Sequence, residues 1–211
     1  MNNLNKDILL IKETFQAYLN VIDMLKERGY EVIDNEILSI DIFSKKYEES
    51  DEFMYIFDHK INKSKIYFSI FKESKITKKD LINKIKIIVE ENQYDNYLFL
   101  TSDSQTLNHI NEVNNIFNMD IQLFVIDKLQ INILKHVLQP DEIILYNNED
   151  TAKLLKDRKW KEEELPKINL KDAVSRYFNA KSGQIFKFIR TSMVDVNSTS
   201  SQGIYYRIVV E

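Results

Sequence analysis

Apolar residues at Ile8, Ile11, Phe15, Leu19, Ile22 and Leu25 recur at steps of three and four. That period predicts a long amphipathic first helix, ended by Gly29 in the left-handed conformation that closes helices. Tyr30 to Ile33 starts a new segment, and Asp34 or Asn35 is expected to cap a second helix running to about Lys46. Phe53 to Phe57 and Ile66 to Phe71 are dense in aromatic and β-branched residues and read as two strands joined by the polar Lys60-to-Lys65 turn. Thr77 is placed to cap a helix whose Leu81, Ile82, Ile85, Ile88 and Val89 share one face. Asn96 to Leu100 follows as a nearly continuous apolar strand. The order then repeats, with Ser104 as a cap for a helix from Gln105 to Phe117 and Ile121 to Ile126 as a buried strand. Strand, helix and strand in this order give the first 130 or so residues an α/β layer with a small mixed sheet.

The pattern changes after Ile131 to Val137, and Gln139-Pro140 is the expected boundary, since a residue before proline is pushed out of helix. Two domains are thus expected, 1–138 and 139–211. The second reads as α+β: a strand over Glu142 to Tyr146, a helix from about Glu149 to Arg158 capped by Asn148, and a polar passage to Leu165-Pro166-Lys167-Ile168. A short helix capped by Asp172 and strands over Gln184 to Arg190 and Ile204 to Val210 complete it. The Ser/Thr-rich stretch Asn197 to Gln202 is expected to be a mobile loop.

Length and composition narrow the chemistry. A chain of 211 residues suits one large domain or two small ones. With 44% hydrophobic and 29% charged residues it folds as an ordinary globular protein. Three glycines leave no phosphate-cradling loop, and the lack of cysteine excludes disulfides, zinc-thiolate sites and thiol nucleophiles. His59, His109 and His136 are scattered, so no metal cluster and no cofactor is expected. Neither a signal segment nor a run of about 18 apolar residues is present, and the chain reads as soluble and intracellular.

Net charge is −4, yet residues 60–86 hold nine lysines (60, 63, 65, 72, 75, 78, 79, 84 and 86) against Glu73 and Asp80, a local +7. Such a block either faces a polyanion or is the solvated surface of a chain with 24 Lys to 5 Arg. Residues 139–211 balance, with twelve Lys/Arg against eleven Asp/Glu.

An ordered series in the C-terminal third carries a family likeness: Ile131-Asn132-Ile133, His136, Pro140, Leu165-Pro166-Lys167-Ile168, Asp172, Arg176-Tyr177-Phe178, Gly183-Gln184, Lys187, Ile189-Arg190 and Tyr206-Arg207. It resembles the fifth subunit shared by eukaryotic-type DNA-directed RNA polymerases, whose C-terminal part corresponds to a small subunit of the archaeal polymerase. Arg28-Gly29-Tyr30 and Glu90-Glu91-Asn92 extend the resemblance toward the N-terminus. It departs at Leu138-Gln139-Pro140-Asp141, and again at Ser192-Met193-Val194 with its longer loop to Gly203, so no family contact is carried onto residues 191–203.

The resemblance implies a non-catalytic subunit with an α/β, nuclease-like N-terminal jaw domain beside downstream double-stranded DNA and a small α+β assembly domain anchored on the largest polymerase subunit. The family's DNA-facing loops match Lys72 to Thr77 and Ser102 to Thr106. The expected DNA contacts are therefore Lys72, Lys75, Thr77, Lys78, Lys79, Ser104 and Gln105, touching phosphates without reading sequence. The expected subunit interface is Arg176, Tyr177, Gln184, Lys187, Arg190, Tyr206 and Arg207, where the planar fork of arginine suits interface contacts; the same residues also fit a core with surface arginines. A lone His136 and Trp160 read as structural. The likeness implies nuclear localisation for a cellular protein, or a cytoplasmic viral factory and virion if the drift and the AT-rich residue usage mark a large DNA virus.

An enzymatic alternative rests on Asp58, Glu73 and Lys75. Two carboxylates holding Mg²⁺ and a lysine beside them are what phosphodiester hydrolysis by a nuclease requires.

Overall fold

The computed structural model describes residues 3–50, 53–73, 75–103, 110–191 and 202–211. The chain divides into two compact units, Met1–Ile131 and Asn132–Glu211. The division falls ahead of the Gln139-Pro140 step expected from the sequence, and local hydrogen bonds explain why. Gln130 reaches back to the first helix, donating to the Glu13 carbonyl at 3.0 Å. Asn132 instead caps a 3₁₀ turn over Ile133–Lys135, and Leu138 accepts from Arg190 in the second unit at 2.9 Å.

In the first unit, helix α1 spans Asn3–Glu27. Gly29, at φ +89°, ends it as the hydrophobic period predicts: Tyr30 N–H donates to the Leu25 carbonyl at 2.9 Å and Gly29 N–H to that of Lys26 at 3.0 Å. The next stretch differs from expectation. Asp34–Glu36 is only a 3₁₀ turn, and helix α2 is Ile40–Glu49, with Ser39 at its N-cap position. Asp34 and Asn35 cap no helix because they lie inside that turn, ahead of the α2 start at Ile40, and the Asp34 carboxylate pairs with Lys26 at 2.5 Å.

Strands β1 (Phe53–Asp58) and β2 (Lys65–Phe71) form the expected antiparallel hairpin. Helix α3 (Lys78–Glu91) starts where Thr77 accepts from Asp80 N–H, then β3 (Asn96–Thr101) lies parallel to β2. The expected helix from Gln105 is described only as α4, Ile110–Phe117, since its cap and first turns lie outside the described residues. Strand β4 (Asp120–Val125) joins parallel to β3, giving the order β1-β2-β3-β4.

The period of two along the strands assigns their faces. Phe53, Tyr55 and Phe68 meet Tyr18 of α1, and Phe53 meets Phe43 of α2 with ring centroids 4.8 Å apart. Tyr67, Phe71, Tyr97, Phe99, Ile121 and Leu123 pack on the other face with Leu81 and Ile85 of α3 and Val113 of α4. Burial of this kind stabilises by about 1.5–3 kcal/mol per large side chain.

The second unit holds a sheet of order β5-β7-β8-β6. Its strands are β5 (Glu142–Tyr146), β6 (Lys167–Asn169), β7 (Ile185–Thr191) and β8 (Gln202–Val210). Helix α5 is Asn148–Arg158, and its cap is Asn147 rather than Asn148, accepting from Asp150 N–H at 2.8 Å. Helix α6, Ala173–Tyr177, is capped by Asp172 as expected. Strand β6 was not anticipated: three residues between Pro166 and Leu170 are too short for a period of two to show. Of the loop expected over Asn197 to Gln202, residues 197–201 lie outside the described residues. No helix among the described residues is long and apolar enough to cross a membrane.

Gly29 and Gly203 make a controlled comparison. A Cβ on Gly29 would lie 3.0 Å from His59 Nε2 on a backbone that only glycine adopts freely, whereas Gly203 has room and an ordinary φ. Gly29→Ala is expected to cost about 1–3 kcal/mol and Gly203→Ala less than about 0.5 kcal/mol, read from urea midpoints of the purified chain.

Candidate nucleic-acid and assembly surfaces

Phe71 and Thr101 are partners in the parallel β2–β3 ladder. The two loops matched to DNA-facing segments therefore leave the sheet side by side. They are also stitched together: Ser102 Oγ donates to the Glu73 carbonyl at 2.9 Å, and Ile76 N–H donates to Asp103 Oδ2 at 3.1 Å. Asp103 was not singled out in the sequence, and its only signal there was an acid following a strand end.

Within this pair of loops, Lys75, Thr77, Lys78 and Lys79 are exposed. They surround the N-terminus of α3, whose first amides carry partial positive charge. Lys72 does not join them. Its ammonium turns inward, donates to the carbonyls of Tyr47 and Ser50 at the end of α2, and lies 4.8 Å from the centre of the Tyr47 ring. The carbonyl end of a helix is a negative pole, so Lys72 works as a C-terminal cap rather than as a phosphate contact. Ser104 and Gln105 lie outside the described residues.

The lysine block is also less positive than its sequence suggests. Lys63 pairs with Glu31, Lys65 with Asp58, Lys84 with Glu73 and Lys86 with Glu90. Of those acids, Glu31, Asp58 and Glu90 lie outside residues 60–86 and are brought to the block by the fold. Exposed pairs of this kind add roughly 0–1 kcal/mol of stability, but they do cancel field. The block is split in space as well, because Lys60 to Lys65 and Lys72 to Lys79 leave opposite ends of β2.

That split decides the nuclease alternative. Asp58 faces Lys65 at one end of the hairpin, whereas Glu73 follows Phe71 at the other. Six residue steps of strand separate the ends by roughly 20 Å, too far for two carboxylates to share a metal ion. Each carboxylate is moreover paired with its own lysine, Lys65 or Lys84.

In the second unit the register sorts the expected interface residues onto two faces. Lys187 is opposite Tyr206, and both lie on the face where Tyr146, Ile185 and Ile208 pack with α5 and Trp160. Trp160 meets the Tyr206 ring edge-on at 5.0 Å. Helix α5 covers only part of this face, and its remaining row is Ile189 opposite Ile204, the latter 51% exposed. Arg190 and Arg207 lie on the opposite face, with Arg207 at 6.0 Å from the Phe188 ring centre.

Three of the expected interface residues are engaged internally. Tyr177 is only 3% exposed and contacts Phe178, which makes it core. Arg176 is half-buried, and burial pushes its guanidinium below its ordinary pKa. Gln184 closes a local turn by accepting from Lys181 N–H at 2.8 Å. His136 accepts from Leu138 N–H at 3.2 Å, a structural contact as expected.

Comparison with known proteins finds relatives along most of the chain. The family model of the RNA polymerase Rpb5 C-terminal domain covers residues 131–209. The chain is 30% identical over 183 residues to DNA-directed RNA polymerase V subunit 5A of Arabidopsis thaliana, covering 83% of this chain and 82% of that protein. Similarity to DNA-directed RNA polymerases IV and V subunit 5B of the same plant is 28% over 190 residues, 88% and 87% of the two chains. The subunit RPABC1 of DNA-directed RNA polymerases I, II, and III from Caenorhabditis elegans is 37% identical over 90 residues, 43% of this chain and 40% of that one.

The capping role of Lys72 predicts that Lys72→Met, which keeps the stem and drops the ammonium, destabilises the first unit by about 1–2 kcal/mol. Lys75→Met should leave the urea midpoint unchanged, because its side chain is exposed.

Proposed function

Because the chain belongs to the Rpb5 family and is a non-catalytic subunit of a DNA-directed RNA polymerase, we propose that its two units divide the work. The second unit anchors the chain on the largest polymerase subunit, and the first meets downstream double-stranded DNA through phosphate contacts. The protein then acts wherever that polymerase transcribes, in a nucleus or in a viral factory.

The observation that carries the anchoring role is the incompletely covered sheet face of the second unit. Lys187, Tyr206 and the Ile189–Ile204 row form an apolar strip with a polar margin, the composition that interface centres favour. Arg190 and Arg207 belong to the other face and are assigned to a separate, peripheral contact. The DNA role narrows to Lys75, Thr77, Lys78 and Lys79 beside the first turn of α3. Four such groups position a backbone without reading bases.

Affinity purification of the tagged full chain from its host tests the assignment. Large polymerase subunits are expected in stoichiometric yield, and Ile204→Asp should lower their recovery about tenfold while Arg207→Glu does not. Recovery of the chain without polymerase subunits would overturn it. In the assembled polymerase, the triple change Lys75→Ala, Lys78→Ala and Lys79→Ala should make the slope of log Kobs against log salt shallower by about two to three. An unchanged slope would remove the DNA contact from this surface.

A further inference from the structure

Strand β1 sits at the edge of its sheet with the sequence of an interior strand. Phe53-Met54-Tyr55-Ile56-Phe57 is apolar on both faces. Edge strands normally carry charge, proline or a bulge to discourage further pairing.

The direction of its backbone groups follows from parity. His59 N–H donates to the Ser64 carbonyl at 2.8 Å, so in the alternating antiparallel ladder residues 57, 55 and 53 bond β2, while 58, 56 and 54 point away. Two outward bonds bear this out. The Asp58 carbonyl accepts from Glu31 N–H at 2.7 Å, and Lys60 N–H donates to the Gly29 carbonyl at 2.9 Å. Residues 29–31 thus already begin an outer strand, through the antiparallel bridge of Tyr30 and His59. Their cover stops there: among the described residues, no backbone hydrogen bond joins 32–38 to β1.

Among the described residues, no hydrogen-bond partner is found for the outward N–H and C=O of Met54 and Ile56. The two side chains are 37% and 40% exposed on the α3 face. On the other face stands Lys46, its ammonium 4.2 Å above the Tyr55 ring and 3.2 Å from the Tyr55 hydroxyl, with no carboxylate partner among the described residues. A lysine held over aromatic rings is a place where an added carboxylate gains more than it would in open solvent.

We propose that the open edge of β1 receives an extended segment of another polypeptide chain as an added strand, apolar where it shares the Met54 and Ile56 face and acidic where it meets Lys46. The main-chain bonds supply affinity and the alternation supplies choice of partner. A second copy of this chain fits poorly. Two-fold pairing of β1 with itself about Tyr55 would bring two Lys46 ammoniums onto one face of adjoining strands, where like charges repel.

Fluorescence anisotropy of the labelled peptide Val-Glu-Val-Glu-Val against the full chain provides the test, with Val-Lys-Val-Lys-Val as control. The glutamate peptide is expected to bind about tenfold more tightly than the lysine peptide, and Lys46→Glu to reverse that order. Ile56→Pro deletes only an outward N–H and keeps Tyr55 extended, so it should abolish binding with the circular dichroism unchanged. If that variant does not fold, Ile56→Lys blocks the same edge with the backbone intact. The proposal is overturned if neither peptide binds, if binding survives the edge variants, if Lys46→Glu leaves the preference untouched, or if sedimentation shows a dimer that Ile56→Pro dissolves.

Discussion

Strand β2 is buried from Ile66 to Phe71 on both faces, with a different layer of helices required on each. Face and register together dictate where the rest of the first unit goes. Tyr67 and Phe71 need α3 and α4, while Phe68 needs the Tyr18 ring of α1. An antiparallel neighbour on one side and a parallel one on the other then fix the loops. The turn to β1 leaves at Lys65, and the crossover loops to α3 and α4 leave together at Phe71 and Thr101. The lysine block is divided by that geometry, and so is the pair of carboxylates that would have made a nuclease. Lys75, Lys78 and Lys79 are left together at the carboxyl end of the parallel strands.

Most of the fold was legible because its apolar patterns are distinct. The first helix and the Thr77-capped helix show a clear period of 3.6, while the hairpin and the β3 and β4 runs are short apolar stretches rich in aromatic and β-branched residues between polar segments. What was lost is equally physical. Asp34 looks like a cap in sequence, but the chain makes a 3₁₀ turn there and starts α2 only at Ile40, after Ser39. Strand β6 draws its stability from the β8 ladder, where Ile168 pairs with Val209, and not from any pattern of its own. The second unit begins at Asn132 because a side-chain cap, not a proline, decides where a new local structure starts.

The sequence marked out loops and not the work of their side chains. The Lys72-to-Thr77 segment and the start of the Ser102 loop are neighbours in the fold, an adjacency that no sequence pattern stated. Yet adjacent lysines in one loop do different work. Lys72 answers the carbonyls of α2, which precede it by more than twenty residues, while Lys75 points to solvent. In the second unit, Lys187 and Arg190 are three positions apart along one strand and therefore on opposite faces. A list of charged residues has no faces; a strand register does.

The two sheets also treat their margins unequally. Strand β6 obeys the rule for edges, being three residues long with Lys167 and Asn169 exposed around one buried isoleucine. Strand β1 breaks that rule over five consecutive residues, and the Ile189–Ile204 row leaves an apolar strip incompletely covered by α5. A free-standing protein gains nothing from such surfaces and risks aggregation through them. Within an assembly the balance reverses, since each uncovered strip withholds from the lone chain a contact that a neighbouring chain can complete. The contrast between β6 and β1 is therefore more telling than the net charge of −4, which bears on solubility and encounter but not on where a subunit is held.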